Sequence, residues 1–260
     1  MPEQPEVERA AQRLRHAARG RLITSVSVRH PAQRRHLPDA VAGQLVGRRI
    51  EAVERRGKHQ LLRLDDGAVL DVHFRMAGDW VMGPSSAPSP RHERVRWELD
   101  DGSSFSLVDP RALATVVRLP AGADLPSVGP EVADLQLTPT WLRQQLASRR
   151  GAIKPILLDQ QLLAGVGNIY ASEALWHARI HPAVPARSLG PTRLARLIEG
   201  LRTALLLGET TATRYTADPR TSGLSVYGRA GEPCSRCGRP IRRIVQAARS
   251  TYFCSHCQRR

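Results

Sequence analysis

All four cysteines of this 260-residue chain lie in its last stretch, as Cys234-Ser-Arg-Cys237 and Cys254-Ser-His-Cys257, with sixteen residues between the pairs. A C-x2-C pair at each end of such a span has the spacing of a tetrahedral zinc site. Each pair folds as a tight knuckle that aims two thiolates at one ion. Residues 238–253 are long enough for a β-hairpin that brings the second pair back. The stretch is crowded with cations: Arg236, Arg239, Arg242, Arg243, Arg249, Arg259 and Arg260. Two disulfides in a secreted domain are the alternative. Against them, residues 1–233 hold no cysteine, and the first thirty residues mix Glu, Arg and His with no apolar signal segment. An arginine-rich hairpin pinned by zinc suggests contact with nucleic acid.

The whole chain carries a formal charge of +15, which points to a polyanionic partner. Arginine supplies nearly all of it, since Lys58 and Lys154 are the only lysines. At 41% hydrophobic residues the chain can bury a sizeable core. Two domains plus the zinc module are expected. No run of 18 apolar residues occurs, which argues against a membrane-spanning helix. The expectation is a soluble intracellular protein with reduced thiols available to a metal.

Residues 5–20 have the marks of a helix: Pro5 in the first turn, Glu6 and Glu8 toward its positive end, and Gly20 as a stop. The apolar period then changes to two. Strands are expected at 22–28, from residue 50, at 60–64 and 68–74 around Asp65-Asp66-Gly67, and at 94–99 and 104–108 around Asp100-Asp101-Gly102. Many short strands with turn signals at this spacing predict a β-sandwich with a leading helix over residues 1–120. A Pro/Gly-rich linker at 119–130 follows. Helical patterns at 139–148, 152–161, 169–178 and 191–208 predict a helical domain over 131–223. The zinc hairpin occupies 224–260. The fold class is thus α+β and multidomain.

Two segments carry chemistry. Removal of Met1 would leave Pro2 as a free secondary amine, partly neutral at cellular pH, able to attack an electrophilic sugar carbon with Glu3 beside it as proton donor. On those residues alone, an ordinary helix N-terminus is the favoured reading. Residues 153–173 read as helix, a turn holding Gly165 and Gly167, and a second helix capped by Asn168. Two glycines at a helix N-terminus let backbone amides approach a phosphate, and Lys154 adds a cation. A plain αα-hairpin would leave unexplained why one of two lysines and a capping Asn flank the same turn.

The Met-Pro-Glu opening, Gly57-Lys58, His73-Phe-Arg-Met76-Ala-Gly78, the 153–173 segment, Val226-Tyr-Gly-Arg-Ala-Gly-Glu-Pro-Cys and Arg249-Ser-Thr-Tyr-Phe-Cys-Ser-His-Cys-Gln258 together resemble formamidopyrimidine-DNA glycosylase. The match runs in order from residue 2 to residue 258. The resemblance implies that Pro2 is the nucleophile toward C1′ of the damaged nucleotide and Glu3 the acid that protonates the sugar. It implies that Lys58 serves proton transfer and phosphate contact, and Glu6 is a supporting carboxylate, although a first-turn dipole partner explains Glu6 equally well. Lys154 and Asn168 resemble the phosphate-gripping pair of the helix-two-turn-helix. Arg249 resembles the finger arginine that holds the flipped nucleotide's phosphates. Met76 looks like the wedge that fills the gap left by the flipped base, with Arg111 and Leu113 as its companions. His92, Arg111 and Arg149 match backbone or orphan-strand contacts, and Tyr227 and Arg229 are assigned to DNA as well. The implied cofactor is one structural Zn2+ on Cys234, Cys237, Cys254 and Cys257. The implied partner is double-stranded DNA with damaged bases or abasic sites, met by a monomer in the bacterial cytoplasm at the nucleoid.

The chain departs from the family in three places. Asp109-Pro110-Arg111-Ala112-Leu113-Ala114 stands where the family has Asp-Pro-Arg-Arg-Phe-Gly, which bears on lesion interrogation and opposite-base preference. The connection 210–225 is short for a loop that caps 8-oxoguanine, leaving formamidopyrimidines or oxidised pyrimidines open. Gln4 replaces a leucine, with no consequence expected. Two other functions stay in view: an endonuclease VIII-like oxidised-pyrimidine glycosylase, and a zinc-finger protein that binds damage without catalysis.

Overall fold

The computed structural model describes residues 1–210 and 223–260. Helix α1 (Gln4–Ala18) buries Val7, Ala10, Ala11, Leu14 and Ala18, the i, i+3, i+4 stripe of an amphipathic helix. Its end is set by Gly20, whose φ of 83° lies in the left-handed region. Strand β1 (Ile23–Val28), two short helices α2 (Pro31–Arg34) and α3 (Asp39–Gly43), and seven further strands follow: β2 (Ile50–Arg56), β3 (His59–Leu64), β4 (Val69–His73), β5 (Asp79–Pro84), β6 (Glu93–Leu99), β7 (Ser103–Val108) and β8 (Thr115–Leu119). They form two four-stranded antiparallel sheets, ordered β1-β6-β7-β5 and β2-β3-β4-β8. Gly67 and Gly102 take the positive φ their hairpin signals implied. The β-sandwich expected from the sequence is therefore present. Strands β5 and β8 and helices α2 and α3 were not anticipated, because no Asp-Gly signal marks them and the helices are only a turn long.

Aromatic packing fills the sandwich. Trp97 and Phe105 stack at 4.9 Å, and Trp80 meets both edge-on at 5.8 and 5.6 Å, geometries that add to simple burial. The buried indole N–H of Trp80 donates to Gln60 Oε1 at 2.7 Å. Register gathers the connections. His73 pairs with both His59 and Thr115, while Val108 pairs with both Asp79 and Glu93. Turn 57–58, crossovers 74–78 and 109–114, and His92 consequently share one end of the sandwich.

The other compact unit holds Val128–Arg260 together with Glu3–Pro5, whereas Met1–Pro2 group with Glu6–Ser127. Helix α4 (Pro139–Leu146) begins at Thr138, whose Oγ1 accepts from Trp141 N, with Pro139 in the first turn. The expected helix at 152–161 is only α5 (Ile153–Ile156). Beyond it, Gln160 Nε2 donates to the carbonyls of Leu158 and Val166, and Gln160 Oε1 accepts from Gly165 N. Side-chain bonds thus replace the helical ladder, while Leu162 and Leu163 still reach the core. Helix α6 (Asn168–His177) is buried from Ile169 to Trp176. A wholly buried side chain such as Leu175 contributes about 1.5–3 kcal/mol. Helix α7 (Pro191–Thr210) crosses α6 closely, because a Cβ at Gly200 would lie 2.5 Å from the Ala174 carbonyl oxygen. Strands β9 (Arg242–Gln246) and β10 (Arg249–Phe253) form the expected hairpin between the cysteine pairs. None of the described helices is long and apolar enough to cross a membrane.

Candidate functional site

The N-terminal segment enters the helical unit at α6. Glu3 is buried, and its two carboxylate oxygens accept from the backbone N–H groups of Ile169 (2.9 Å) and Tyr170 (3.2 Å). A carboxylate on the first free amides of a helix satisfies orphan donors and sits at the positive end of the dipole. One sequence expectation is corrected here. Asn168 is not the cap: Gly167 holds that position without a side-chain bond, and Glu3 supplies the cap from far along the chain. Gly165 and Gly167 also allow a close approach within the chain. A Cβ at 167 would lie 2.2 Å from Glu3 Cδ, and one at 165 would lie 2.5 Å from Gln4 Oε1. The glycines make room for the chain's own N-terminus. Gln4 is buried, its N–H donates to the Gly165 carbonyl, and its Oε1 has no hydrogen-bond partner among the described residues. Pro2 is buried in the other unit, and Glu6 lies 3.7 Å from Arg9 on α1.

Freed from capping, Asn168 organises cations. Its Oδ1 accepts from Lys154 Nζ, and its Nδ2 donates to the Ser250 carbonyl (3.0 Å) and Tyr227 Oη (3.3 Å). It thus ties α5, α6 and the strand that begins with Arg249. Lys154 is fully buried, and its ammonium is pushed down to about 8 by burial first and then by the Arg249 charge, against the attraction of Glu3. Two cations brought together in a low-dielectric setting repel, an arrangement suited to an anion. Glu173, one turn and a half further along α6, was missed as a functional position. Its buried carboxylate accepts from the N–H groups of Ser225, Val226 and Tyr227 at 2.7–2.9 Å and so seats the start of the zinc module. Burial pushes its pKa up against those three bonds. Arg149 and Arg229 are engaged within the chain. Arg149 pairs with Asp159 at 2.7 Å, while Arg229 pairs with Glu232 and donates to the carbonyls of Leu224, Ser225 and Pro233. Either would have to exchange those partners to touch a phosphate.

At the shared end of the sandwich, Lys58 is buried in the β2–β3 turn, where Gly57 takes φ 58°. Met76 and Leu113, on the two crossovers at this end, are exposed by 38% and 45%, and Arg111 is exposed too. The crossovers are rigidly held. Buried Asp109 accepts from Arg111 N, Leu113 N and Ala114 N, while Ala112 takes φ 53°, His92 takes 62° and Arg75 takes 54°. Such backbone costs of order 1–3 kcal/mol each for a non-glycine residue. His73 Nδ1 accepts from Arg75 N at 3.0 Å. Burial first, then His59, Arg75 and Lys58, push its imidazole down to about 3, leaving Nδ1 free of a proton and able to accept. Asp109 and His73 were visible in the sequence only as motif members, not as organisers of these turns.

Cys234, Cys237, Cys254 and Cys257 place their sulfur atoms within 4.8 Å of one another. The separations Cys237–Cys254 (3.5 Å) and Cys234–Cys257 (3.9 Å) bracket the ~3.8 Å edge of a tetrahedron with ~2.3 Å Zn–S bonds. The four thiols fit a closed site for one zinc ion. Gln258, fully buried, ties the second knuckle to the body: its Oε1 accepts from Cys254 N and its Nε2 donates to the Ile180 carbonyl.

Three family models match in order: the formamidopyrimidine-DNA glycosylase N-terminal domain at residues 1–116, its H2TH domain at 128–215, and the zinc finger found in FPG and IleRS at 231–260. A formamidopyrimidine-DNA glycosylase of Chloroflexus aurantiacus is 41% identical over 271 residues, covering 99% of this chain and 98% of the relative. The chain belongs to the formamidopyrimidine-DNA glycosylase family. Among solved structures, a Lactococcus lactis FPG mutant complexed with Fapy-dG-containing DNA superposes with a TM-score of 0.89 at 32% identity, covering all of both chains. The wild-type Lactococcus lactis protein with oxidised-pyrimidine DNA gives 0.91 at 30% identity, again over all of both chains. The departure at Ala112-Leu113-Ala114 falls on the crossover that Asp109 holds. The short connection noted in the sequence lies, for residues 211–222, outside the described residues.

Proposed function

We propose that this family member is a bifunctional DNA glycosylase and abasic-site lyase of base excision repair, acting on formamidopyrimidines and related oxidised bases in duplex DNA. The observation that carries the reading is the Glu3 carboxylate seated on the first amides of α6, within the same unit as the Lys154–Asn168 pair. A plain DNA-binding module needs neither a buried acid delivered by the N-terminus nor the secondary amine next to it. The Lactococcus complexes with Fapy-dG and oxidised-pyrimidine DNA support the lesion class.

In this reading removal of Met1 frees the Pro2 nitrogen. Its lone pair forms a bond to C1′, the glycosidic bond breaks, and the base leaves with that electron pair and takes up a proton. Glu3, protonated before the step, gives its proton to the sugar ring oxygen as the C1′–O4′ bond opens, while the Pro2 nitrogen sheds its own proton to the departing base, producing an iminium between Pro2 and C1′. The iminium acidifies the C2′ protons. Loss of one expels the 3′ phosphate, and a second elimination expels the 5′ phosphate, with Lys58 and Arg249 offsetting the charge of the leaving groups. Lys154 and Asn168 grip the backbone, Met76 and Leu113 fill the vacated stack, and His92, Arg111 and Tyr227 contact the duplex. The setting is the bacterial cytoplasm, at the nucleoid.

Borohydride reduces iminium ions, so it should trap a covalent complex on abasic-site duplex, with the linked peptide mapping to Pro2. Pro2→Gly should lower trapping and strand cleavage by at least about 100-fold with affinity nearly unchanged. Glu3→Gln should slow base excision more than cleavage of a preformed abasic site. Protein with a processed N-terminus that binds abasic duplex tightly yet neither cross-links nor cuts it would leave only the binding-module reading.

A further inference from the structure

A second cationic feature lies in the helical unit, away from the grip at the start of α6. A cavity of about 690 Å³ is lined by six guanidinium groups, from Arg179, Arg193, Arg196, Arg236, Arg259 and Arg260. The rest of its lining is Cys237, Cys257 and His256. No side-chain carboxylate and no aliphatic, Phe, Tyr or Trp side chain takes part, and the one ring is the His256 imidazole. Arg179 lies just past the C-terminal end of α6, whereas Asn168 opens that helix. Ten helical residues span about 15 Å, so the cavity and the Lys154–Asn168 grip are separate places.

The arginines are positioned rather than scattered. Arg236 lies 3.6 Å above the Trp176 ring and donates to the Trp176 carbonyl, and Arg193 donates to the Arg259 carbonyl. Arg193 and Arg196 stand one turn apart in the first two turns of α7, the positive end of a twenty-residue helix. Arg179 takes φ 58°, a conformation that disfavours side chains. Among the described residues none of the six is ion-paired with a carboxylate. One explanation is that they offset the zinc centre, whose four thiolates and one ion sum to about −2. Six guanidiniums exceed that charge about threefold, and Arg193 and Arg196 belong to α7 rather than to the finger.

We infer that this cavity is a second phosphate-binding site, and that it takes the sugar-phosphate backbone of a second DNA segment. Guanidinium forks match phosphate oxygens bidentately. A peptide partner would need apolar anchors that the lining does not offer. A base or free nucleotide would need a broad stacking face, and the lining holds no Phe, Tyr or Trp, since Trp176 is buried beneath Arg236. The volume exceeds what a single phosphate fills. The site would let one molecule hold two DNA segments while searching for damage. It shares with the proposed activity the premise that the chain handles duplex DNA, so excision is measured alongside.

The test uses full-length zinc-loaded protein and two undamaged duplexes carrying donor and acceptor dyes. At low salt the wild type should bridge them and raise energy transfer, with strong salt dependence. The triple variant Arg179→Ala, Arg193→Ala, Arg196→Ala should lose bridging by about tenfold or more. Its excision rate on a lesion duplex should change less than about twofold. The pair of half-buried Arg193→Glu and exposed Arg196→Glu, which leaves Arg179 and the residues of the finger unsubstituted, should abolish bridging with an unchanged thermal unfolding profile. Wild-type protein that does not bridge, or variants that bridge as well, would overturn the inference even with full excision activity. Polyglutamate displacing the second duplex as effectively as DNA of equal charge would also overturn it, since the site would then read charge and not phosphate.

Discussion

Lys154 is a charge held where water cannot reach it, and that makes its pH behaviour testable. With the folded-state pKa pushed down to about 8 by burial and Arg249, the side chain is mostly charged at pH 7 and loses its proton as pH rises through 8. A bound phosphate favours the charged form, so the complex holds more protons than the free protein above that pH, and affinity must fall as pH rises. The stability sign is opposite: the unfolded chain binds the extra proton between about 8 and 10.5, so this group favours folding more as pH rises through that window. Affinity for undamaged duplex at fixed salt should therefore drop between pH 7 and 9, by up to about tenfold per pH unit. Lys154→Ala should start lower and lack that component. The α-amino group titrates nearby, but it is common to both proteins and cancels in their difference. A wild-type profile parallel to that of the variant would remove Lys154 from phosphate contact. At this scale the sequence was informative about residue types and poor about partners. Two lysines in an arginine-rich chain singled out Lys58 and Lys154, yet nothing local marked Glu3 as the cap of α6 or Gln4 as buried. Both depend on residues more than 150 positions away, Ile169 for Glu3 and Gly165 for Gln4.

Elements were legible where pattern and punctuation agreed. The Asp-Gly turns, the Gly20 stop and the Thr138-Pro139 start sit where the sequence put them. The α5 expectation failed because Asp159 and Gln160 turn their side chains onto the backbone, a competition that apolar periodicity does not register. The zinc hairpin shows another local conflict. Its two-residue turn, Ala247-Ala248, takes φ 47° and 57°, the left-handed pair that Asn-Gly adopts readily and that is unfavourable for alanine. Arg249 begins the next strand, so the turn fixes where that guanidinium starts. The double substitution Ala247→Asn, Ala248→Gly should stabilise the hairpin by about 1–2 kcal/mol. Zinc release to a chelator should slow roughly tenfold if the hairpin must open first, and amide exchange in β9 and β10 should slow in parallel. Unchanged release and exchange would mean that the alanines sit in this turn without strain.

At the scale of the whole chain, charge and metal act over different distances. The formal charge of +15 attracts DNA broadly and needs no particular fold, whereas the phosphate contact proposed for Arg249 requires the hairpin between the two cysteine pairs to be formed. The buried cluster beneath the finger consists of Trp176, Val226, Cys234, Ile241 and Cys254, two of which are metal ligands. So small a core does not fold a module on its own, and metal affinity becomes folding free energy. The sandwich core around Trp97 and the helical core around Leu175 contain none of those ligands. The purified protein should accordingly hold about one zinc per chain. Removal by a chelator, or Cys237→Ser, should melt the finger while the near-ultraviolet signal of the Trp80–Trp97–Phe105 stack persists. Without Arg249 and its neighbours in place, the dependence of log affinity on log salt should flatten by about one unit for each phosphate no longer neutralised. Because most of the net charge remains, the association rate should fall little and the dissociation rate should carry the change. Metal-free protein that kept the wild-type salt slope would show that the hairpin arginines do not reach phosphate, and that the charge of the remaining chain accounts for DNA affinity.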